Sequence, residues 1–197
     1  APLPEDKIQA REIDQDYLYW AGDATIYNNQ MQMLWGAVDN TDENNLMRRF
    51  GTCLVTYSLE GKPGDDTYMK LISRNDDFND HTLGYGDTMW EDEDGHTYLY
   101  TTSNYKVAVA RTATHDLSSQ WEYYVADPQG NFSWTTEYPS TQDAEYSTII
   151  PLESGCSMPW VFKKGDTYYM IGQSIWFGRD VLMFRSKHPV SYTHLTL

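Results

Sequence analysis

Five carboxylates are candidates for acid–base chemistry from their places in the chain. Asp87 heads a predicted strand after Gly84-Tyr-Gly86, whose glycines let backbone or ligand approach closely. Asp23 follows Gly22 at the matching place in an earlier unit, and Asp39, in Trp35-Gly-Ala-Val-Asp-Asn40, ends a strand beside a Trp. Glu145 and Glu153 precede a later strand. Two such carboxyls, one protonated and one ionised, could give a proton to a leaving oxygen and activate a water or act as nucleophile. There are plainer readings. Asp87 would cap a turn through its own backbone amides, Asp23 would lie in a surface turn, and the glutamates would be solvated loop charges.

Flat apolar rings could present the other half of a site. Trp176, in Ser174-Ile-Trp-Phe-Gly178, falls in a loop between strands and is a candidate platform for a sugar face, with Tyr85 beside it in role. Trp90 and Trp160 recur at matched positions and read as packing. Arg111 and Arg185 also recur. Recurrence favours an architectural guanidinium, with a grip on a substrate hydroxyl as the alternative for Arg111. The acidic run Glu91-Asp-Glu-Asp94 reads as a solvated hairpin tip; its spacing is too irregular for a calcium loop, so no cofactor is assigned, with a structural calcium left open. The histidines show no zinc spacing. Leu152-Glu-Ser-Gly-Cys156 lacks the first Gly of a nucleophile elbow, and no phosphate-binding loop occurs. Cys53 and Cys156 lie in separate units and read as two buried free thiols.

These residues need strands to position them. Helical periodicity is scarce, and short alternating or aromatic runs dominate, broken by Gly, Asn and Asp. Strands are predicted near 32–38, 51–59, 68–73, 87–91, 97–102, 107–113, 121–126, 158–163, 167–173 and 181–186. At a constant offset of 70 residues Trp90 matches Trp160, Gly95 matches Gly165, Thr97 matches Thr167 and Tyr98 matches Tyr168. Three units follow, at roughly 17–75, 84–127 and 147–189, the first fainter than the others. Repeated four-stranded antiparallel units are the signature of propeller blades. The expected fold is therefore all-β: a partial, about three-blade propeller over 1–189. The third unit lacks its fourth strand in this reading. The segment Val190-Ser-Tyr-Thr-His-Leu-Thr-Leu197 resembles a sequencing adaptor read in frame, so it is set aside as a non-native tail, with more protein expected beyond Pro189.

The stretch Ser157-Met-Pro-Trp-Val-Phe-Lys-Lys-Gly-Asp-Thr-Tyr-Tyr-Met170, continuing through Val181-Leu-Met-Phe-Arg-Ser-Lys-His-Pro189, resembles a blade of the five-bladed glycoside hydrolases of the arabinanase and β-xylosidase group. The stretch from Tyr85-Gly-Asp87 to Trp121-Glu-Tyr-Tyr124 is similar to related secreted bacterial propeller domains. Together they cover roughly Gly84–Pro189. The resemblance implies a five-bladed ring and hydrolysis of plant or microbial polysaccharide by paired carboxylates. In that group the general-acid Glu stands two residues before the Pro. Here Ser157 holds the place, and a hydroxyl cannot serve as a carboxylic acid.

The expected assignment is then Asp87, Asp23 and Glu145 as catalytic carboxylates, with Tyr85, Trp176, Arg111, Ser157 and Asp39 contacting substrate. A non-catalytic carbohydrate-binding propeller and a protein-binding scaffold are the alternatives. A net charge of −15 argues against nucleic acid and anionic membrane surfaces, and no apolar run suffices for membrane insertion. The richness in Tyr (16) and Trp (7) fits a secreted, periplasmic or cell-surface protein that handles polysaccharide or oligosaccharide. Its nearest partner would be the missing C-terminal blades of its own chain, and alone it is expected to be inactive.

Overall fold

A computed structural model describes residues 17–39, 48–79, 83–139, 149–150, 154–175 and 177–195. Every regular element among them is a strand. The chain divides into two bodies, Ala1–Gly84 and Tyr85–Leu197.

The first body is one antiparallel sheet of β1 (Tyr17–Tyr27), β2 (Gln30–Asp39), β3 (Arg48–Leu59) and β4 (Tyr68–Asn79), ordered as in the sequence. Asn28 and Asn29 join β1 to β2 with φ of 48° and 57°. Two consecutive left-handed residues make the turn that matches strand twist, and Asn tolerates this conformation better than other residues with side chains. The sequence reading places no strand over β1. Leu34, Val38, Cys53, Leu54 and Val55 are buried. Gly36 and Gly84 leave room for the Arg49 side chain, which a β-carbon at either would strike. The Arg49 guanidinium donates to the Gly84 carbonyl. One of the glycines preceding Tyr85 thus accommodates a protein side chain.

The second body holds two sheets. One has five strands: β5 (Thr88–Glu91), β6 (Thr97–Ser103), β7 (Lys106–Thr112), β8 (Trp121–Ala126) and β9 (Phe132–Thr135). The expected four-stranded unit thus gains a strand. The Pro128-Gln-Gly130 turn returns the chain, with Gly130 at φ 84° and the Asp127 carboxylate accepting from the Gln129 and Asn131 amides at 2.9 and 2.8 Å. The other sheet has β10 (Ser157–Lys164), β11 (Thr167–Gln173), β12 (Val181–Ser186) and β13 (Thr193–His194). The last is a short fourth strand where none was expected. Tyr192, in the segment set aside on sequence, is buried in the core.

The two sheets share one core. Tyr98, Tyr100, Val107 and Val109 of the five-stranded sheet meet Val161, Tyr168, Met170 and Phe184 of its neighbour. The Tyr100 hydroxyl donates to the Pro189 carbonyl at 2.8 Å. Cys53 and Cys156 are free and buried, in different bodies. Burial, as the largest cause, pushes both thiols up to about 12. The thiolate is the reactive form. Native protein at pH 8 is therefore expected to leave a disulfide-exchange reagent such as DTNB unreacted for minutes. Denatured protein should release two equivalents, and prompt native reaction would contradict the burial.

The repeat holds in topology but slips in register. Glu91 faces Thr97 across the β5–β6 turn, whereas Lys164 faces Thr167 across the tighter β10–β11 turn. Trp90 consequently pairs with Tyr98, but Trp160 pairs with Ile171. Trp90 packs against the core, while Trp160 is exposed, so the matched tryptophans are not equivalent. The arginines part in the same way. Arg111 faces Tyr98, but Arg185 faces Tyr169 rather than Tyr168, and a one-residue step puts a side chain on the other face of a sheet.

Candidate functional site

Asp87 is set by the backbone just before β5. Gly86, at φ 110°, lets two successive amides, its own and that of Asp87, donate to the single Tyr100 carbonyl at 3.1 and 2.9 Å. A side chain would be strained at that φ. The Asp87 carboxylate then accepts from the Thr101 hydroxyl at 3.3 Å and the Thr102 amide at 3.2 Å. Both residues end β6, so the carboxylate is anchored where β5 begins and β6 finishes. Tyr85 is buried behind it, its ring 5.4 Å from that of Tyr123 and 6.5 Å from that of Trp121. It offers support rather than an open stacking face, in contrast to the sugar contact expected of it.

The same corner of the third sheet holds Ser157, which begins β10 opposite Gln173 at the end of β11. Ser157 is buried, and the strand bulges between it and Trp160. The Cys156 amide donates to the Tyr105 carbonyl at 2.7 Å, which fixes this end of β10 to the β6–β7 turn. In the first sheet the corner belongs to Asp39, buried at the end of β2 opposite Tyr17.

Asp23 lies elsewhere. It sits within β1 at the register shift between Ala21 and Ala24, and its own carboxylate accepts from the Ala24 amide at 2.8 Å. The partner of Asp39, Tyr17, is six positions away along β1, roughly 20 Å at the usual strand rise. Asp23 and Asp39 are therefore not a pair at hydrolytic separation. Glu145, Glu153 and Trp176 lie outside the described residues.

Arg111 is held by protein. Its Nε and an Nη each lie 2.7 Å from Glu122 Oε2, and its guanidinium stands 4.2 Å over the Trp134 ring.

The acidic hairpin tip departs from expectation at one residue. Glu91, Glu93 and Asp94 are exposed, but Asp92 is buried. Tyr168 donates to it at 2.7 Å, and the Trp90 indole and Lys163 ammonium each at 3.3 Å. Burial opposes its charge, yet these donors and the Glu93 amide together hold its pKa below the ordinary Asp value. The carboxylate ties β5 to the β10–β11 hairpin at the end of β5 away from Asp87. Among the described residues no three His, Cys, Asp or Glu side chains gather as a metal-binding group.

A family model described as a domain of unknown function, DUF5005, matches residues 3–195. The chain belongs to the DUF5005 family. The DUF5005 chain is 89% identical, with a TM-score of 0.89, to the crystal structure of a protein from Bacteroides ovatus ATCC 8483 provisionally described as a hydrolase, covering 98% of this chain and 48% of that one. It is also similar to levansucrase from Gluconacetobacter diazotrophicus, at 12% identity and a TM-score of 0.57, covering 100% of this chain and 50% of that one. A glycosyl hydrolase from Bacteroides ovatus matches at 15% identity and a TM-score of 0.51, covering 91% and 49%. At such identities the last two speak for the fold alone. The antiparallel sheets of the DUF5005 chain are the blades of a propeller fold like theirs. The chain spans about half the length of these solved structures. A comparison with curated proteins gives no match.

Proposed function

We propose that the DUF5005 chain is part of a secreted five-bladed propeller glycoside hydrolase that cleaves plant or microbial polysaccharide through paired carboxylates. One observation carries the reading. A chain 89% identical to a protein provisionally described as a hydrolase presents Asp87 at the head of a blade's leading strand, fixed by the Thr101 hydroxyl and the Thr102 amide. A carboxylate whose orientation is fixed in advance is suited to act on water or on the sugar. Asp87 acts as base or nucleophile in this proposal. The second carboxyl comes from Asp23, Glu145 or the half of the longer protein that this chain does not span. Asp39 and Ser157, at the corresponding corners of their own sheets, contact substrate hydroxyls, and Trp176 supplies a stacking ring.

One observation favours a second reading, a non-catalytic carbohydrate-binding propeller. Ser157 stands where the resembling enzymes carry their acid, and its side chain is buried. Sugar release separates the two. A protein containing this chain and the rest of the roughly twofold longer relative is expected to release reducing sugar from at least one arabinan or xylan, and the 197-residue chain alone is expected to release none. Binding of glycans without release by the longer protein would leave the second reading standing and remove the first.

A further inference from the structure

Beyond Thr101 and Thr102, which hold Asp87, β6 turns at Asn104 and Tyr105 into β7. At the same end of the neighbouring sheet, β11 stops at Gln173 and a tight hairpin carries the chain to β12. The Ser174 amide donates to the Asp180 carbonyl at 3.1 Å, and the Gly178 amide to the Ile175 carbonyl at 2.8 Å. Turn and hairpin are neighbours, because a β-carbon on Gly155 would stand 2.9 Å from the Ser174 carbonyl oxygen and 3.1 Å from the Tyr105 β-carbon. A continuous rim therefore runs from Asp87 through Tyr105 to the hairpin. Its large side chains are open to solvent: Tyr105 is 44% exposed, Ile175 53% and Phe177 81%. Tyr105 and Phe177 also stand at φ of 62° and 56°. Bulky residues rarely adopt that conformation, and such strain collects at ligand clamps.

We infer that this rim is a subsite for a neutral glycan chain, with Tyr105 and Phe177 stacking on sugar units beyond the one held at Asp87. The inference rests on the proposed site at Asp87 and makes its substrate a chain of several units. Three observations choose that occupant. The rim is continuous with the Asp87 corner through Thr102 and the turn that follows it. It lies past Gln173 and Val181, at the end of the sheet, where another sheet packed on a blade face does not reach. It is also mixed in character. The Gln173 side-chain oxygen, at the foot of the hairpin, is buried without a donor among the described residues. That side chain can turn to accept from a hydroxyl without its oxygen giving up a bond. A sugar offers both surfaces at once, a C–H face for the rings and hydroxyls for the amide. A net charge of −15 disfavours an anionic chain.

The test uses the protein that joins this chain to the rest of its longer relative, run on native gels containing soluble arabinan or xylan. At least one glycan should retard the wild type. The pair Tyr105→Ala and Phe177→Ala should weaken that binding about tenfold, whereas Phe177→Trp alone should keep it. Both changes lie on the surface, so Tm should stay within about 2 °C. On the glycan that is cleaved, the alanine pair should raise KM about tenfold with kcat held within about twofold. KM for a nitrophenyl monoglycoside, too short to reach the rim, should move less than about twofold. Equal retardation of wild type and alanine pair would overturn the inference, as would a wild type that neither glycan retards, or a KM that rises as much for the monoglycoside. Retardation that the alanines weaken, with no sugar released by the wild type, would uphold the rim and remove the hydrolase. Release of sugar with retardation indifferent to the alanines would do the reverse.

Discussion

Asp87→Asn in the longer protein is expected to reduce sugar release about 1,000-fold, within the range that a positioned acid or base contributes. The fold should survive. The amide keeps an oxygen that can still accept from the Thr102 amide at the wild-type 3.2 Å or the Thr101 hydroxyl at 3.3 Å. A change at such a site should cost no more than about 1 kcal/mol. The variant therefore separates chemistry from scaffolding. A general base or nucleophile loses its lone pair or its charge, whereas a turn-capping aspartate loses almost nothing. Initial rates on the best substrate, paired with a thermal melt, read both quantities at once. A loss of less than tenfold with an unchanged melt would remove Asp87 from the mechanism and return it to the turn.

Asp92→Ala is expected to be the most destabilising single change in the second body, at about 3 kcal/mol or roughly a 10 °C fall in Tm at pH 7. Alanine strips an acceptor from the Tyr168 hydroxyl, the Trp90 indole and the Lys163 ammonium together. The buried hydroxyl would then lack its partner, which costs more than the bond is worth when made. The pH dependence follows from the depressed pKa of Asp92. Because its folded value lies below the unfolded one, near 3.9, its stabilisation is complete above about pH 4 and drains away as pH falls through the folded value. The gap between wild type and Asp92→Ala should be widest at pH 7 and narrow steadily below pH 4. The comparison cancels Asp94, whose pKa is also lowered, because both proteins carry it. A gap that stays constant from pH 7 to pH 3 would show that packing, not the carboxylate, carries the effect.

Most of the strands that could be read from sequence alternate, or run apolar, for about six residues, and several have a Gly-containing turn beside them, as with β6, β11 and β12. The strands that escaped give weaker local signals. β1 ends in Asn28-Asn29, whose positive φ values do the work of the usual Asn-Gly. β9 has four residues and β13 two, too few to establish a period. The repeat was legible in residue type, but its register was not. Register depends on turn length, and the five residues between Glu91 and Thr97 become two between Lys164 and Thr167. That difference separated Trp160 from Trp90, while the face of Arg185 was settled by its β12 register.

The site divides along the same line. The head-of-strand position of Asp87 was readable because Gly86 lies beside it in sequence, and the local turn holds most of the information. Its partners Thr101 and Thr102 come from the next strand and carry no signal of their own. Asp92 was hidden inside an acidic run because Lys163 and Tyr168, which bury it, lie 71 and 76 residues away. A carboxylate's environment is a tertiary property, and a single sequence records only its neighbours.

Soaking an oligosaccharide into crystals of the longer protein would probe the account most directly. Bound sugar should lie at the corner where β5 begins, with an Asp87 oxygen within hydrogen-bonding reach of the ring or of a poised water. A second carboxyl should stand about 5–9.5 Å from Asp87 across the glycosidic bond. Sugar bound at a site remote from Asp87, or beside it with no second carboxyl within that distance, would contradict a hydrolase built on this blade.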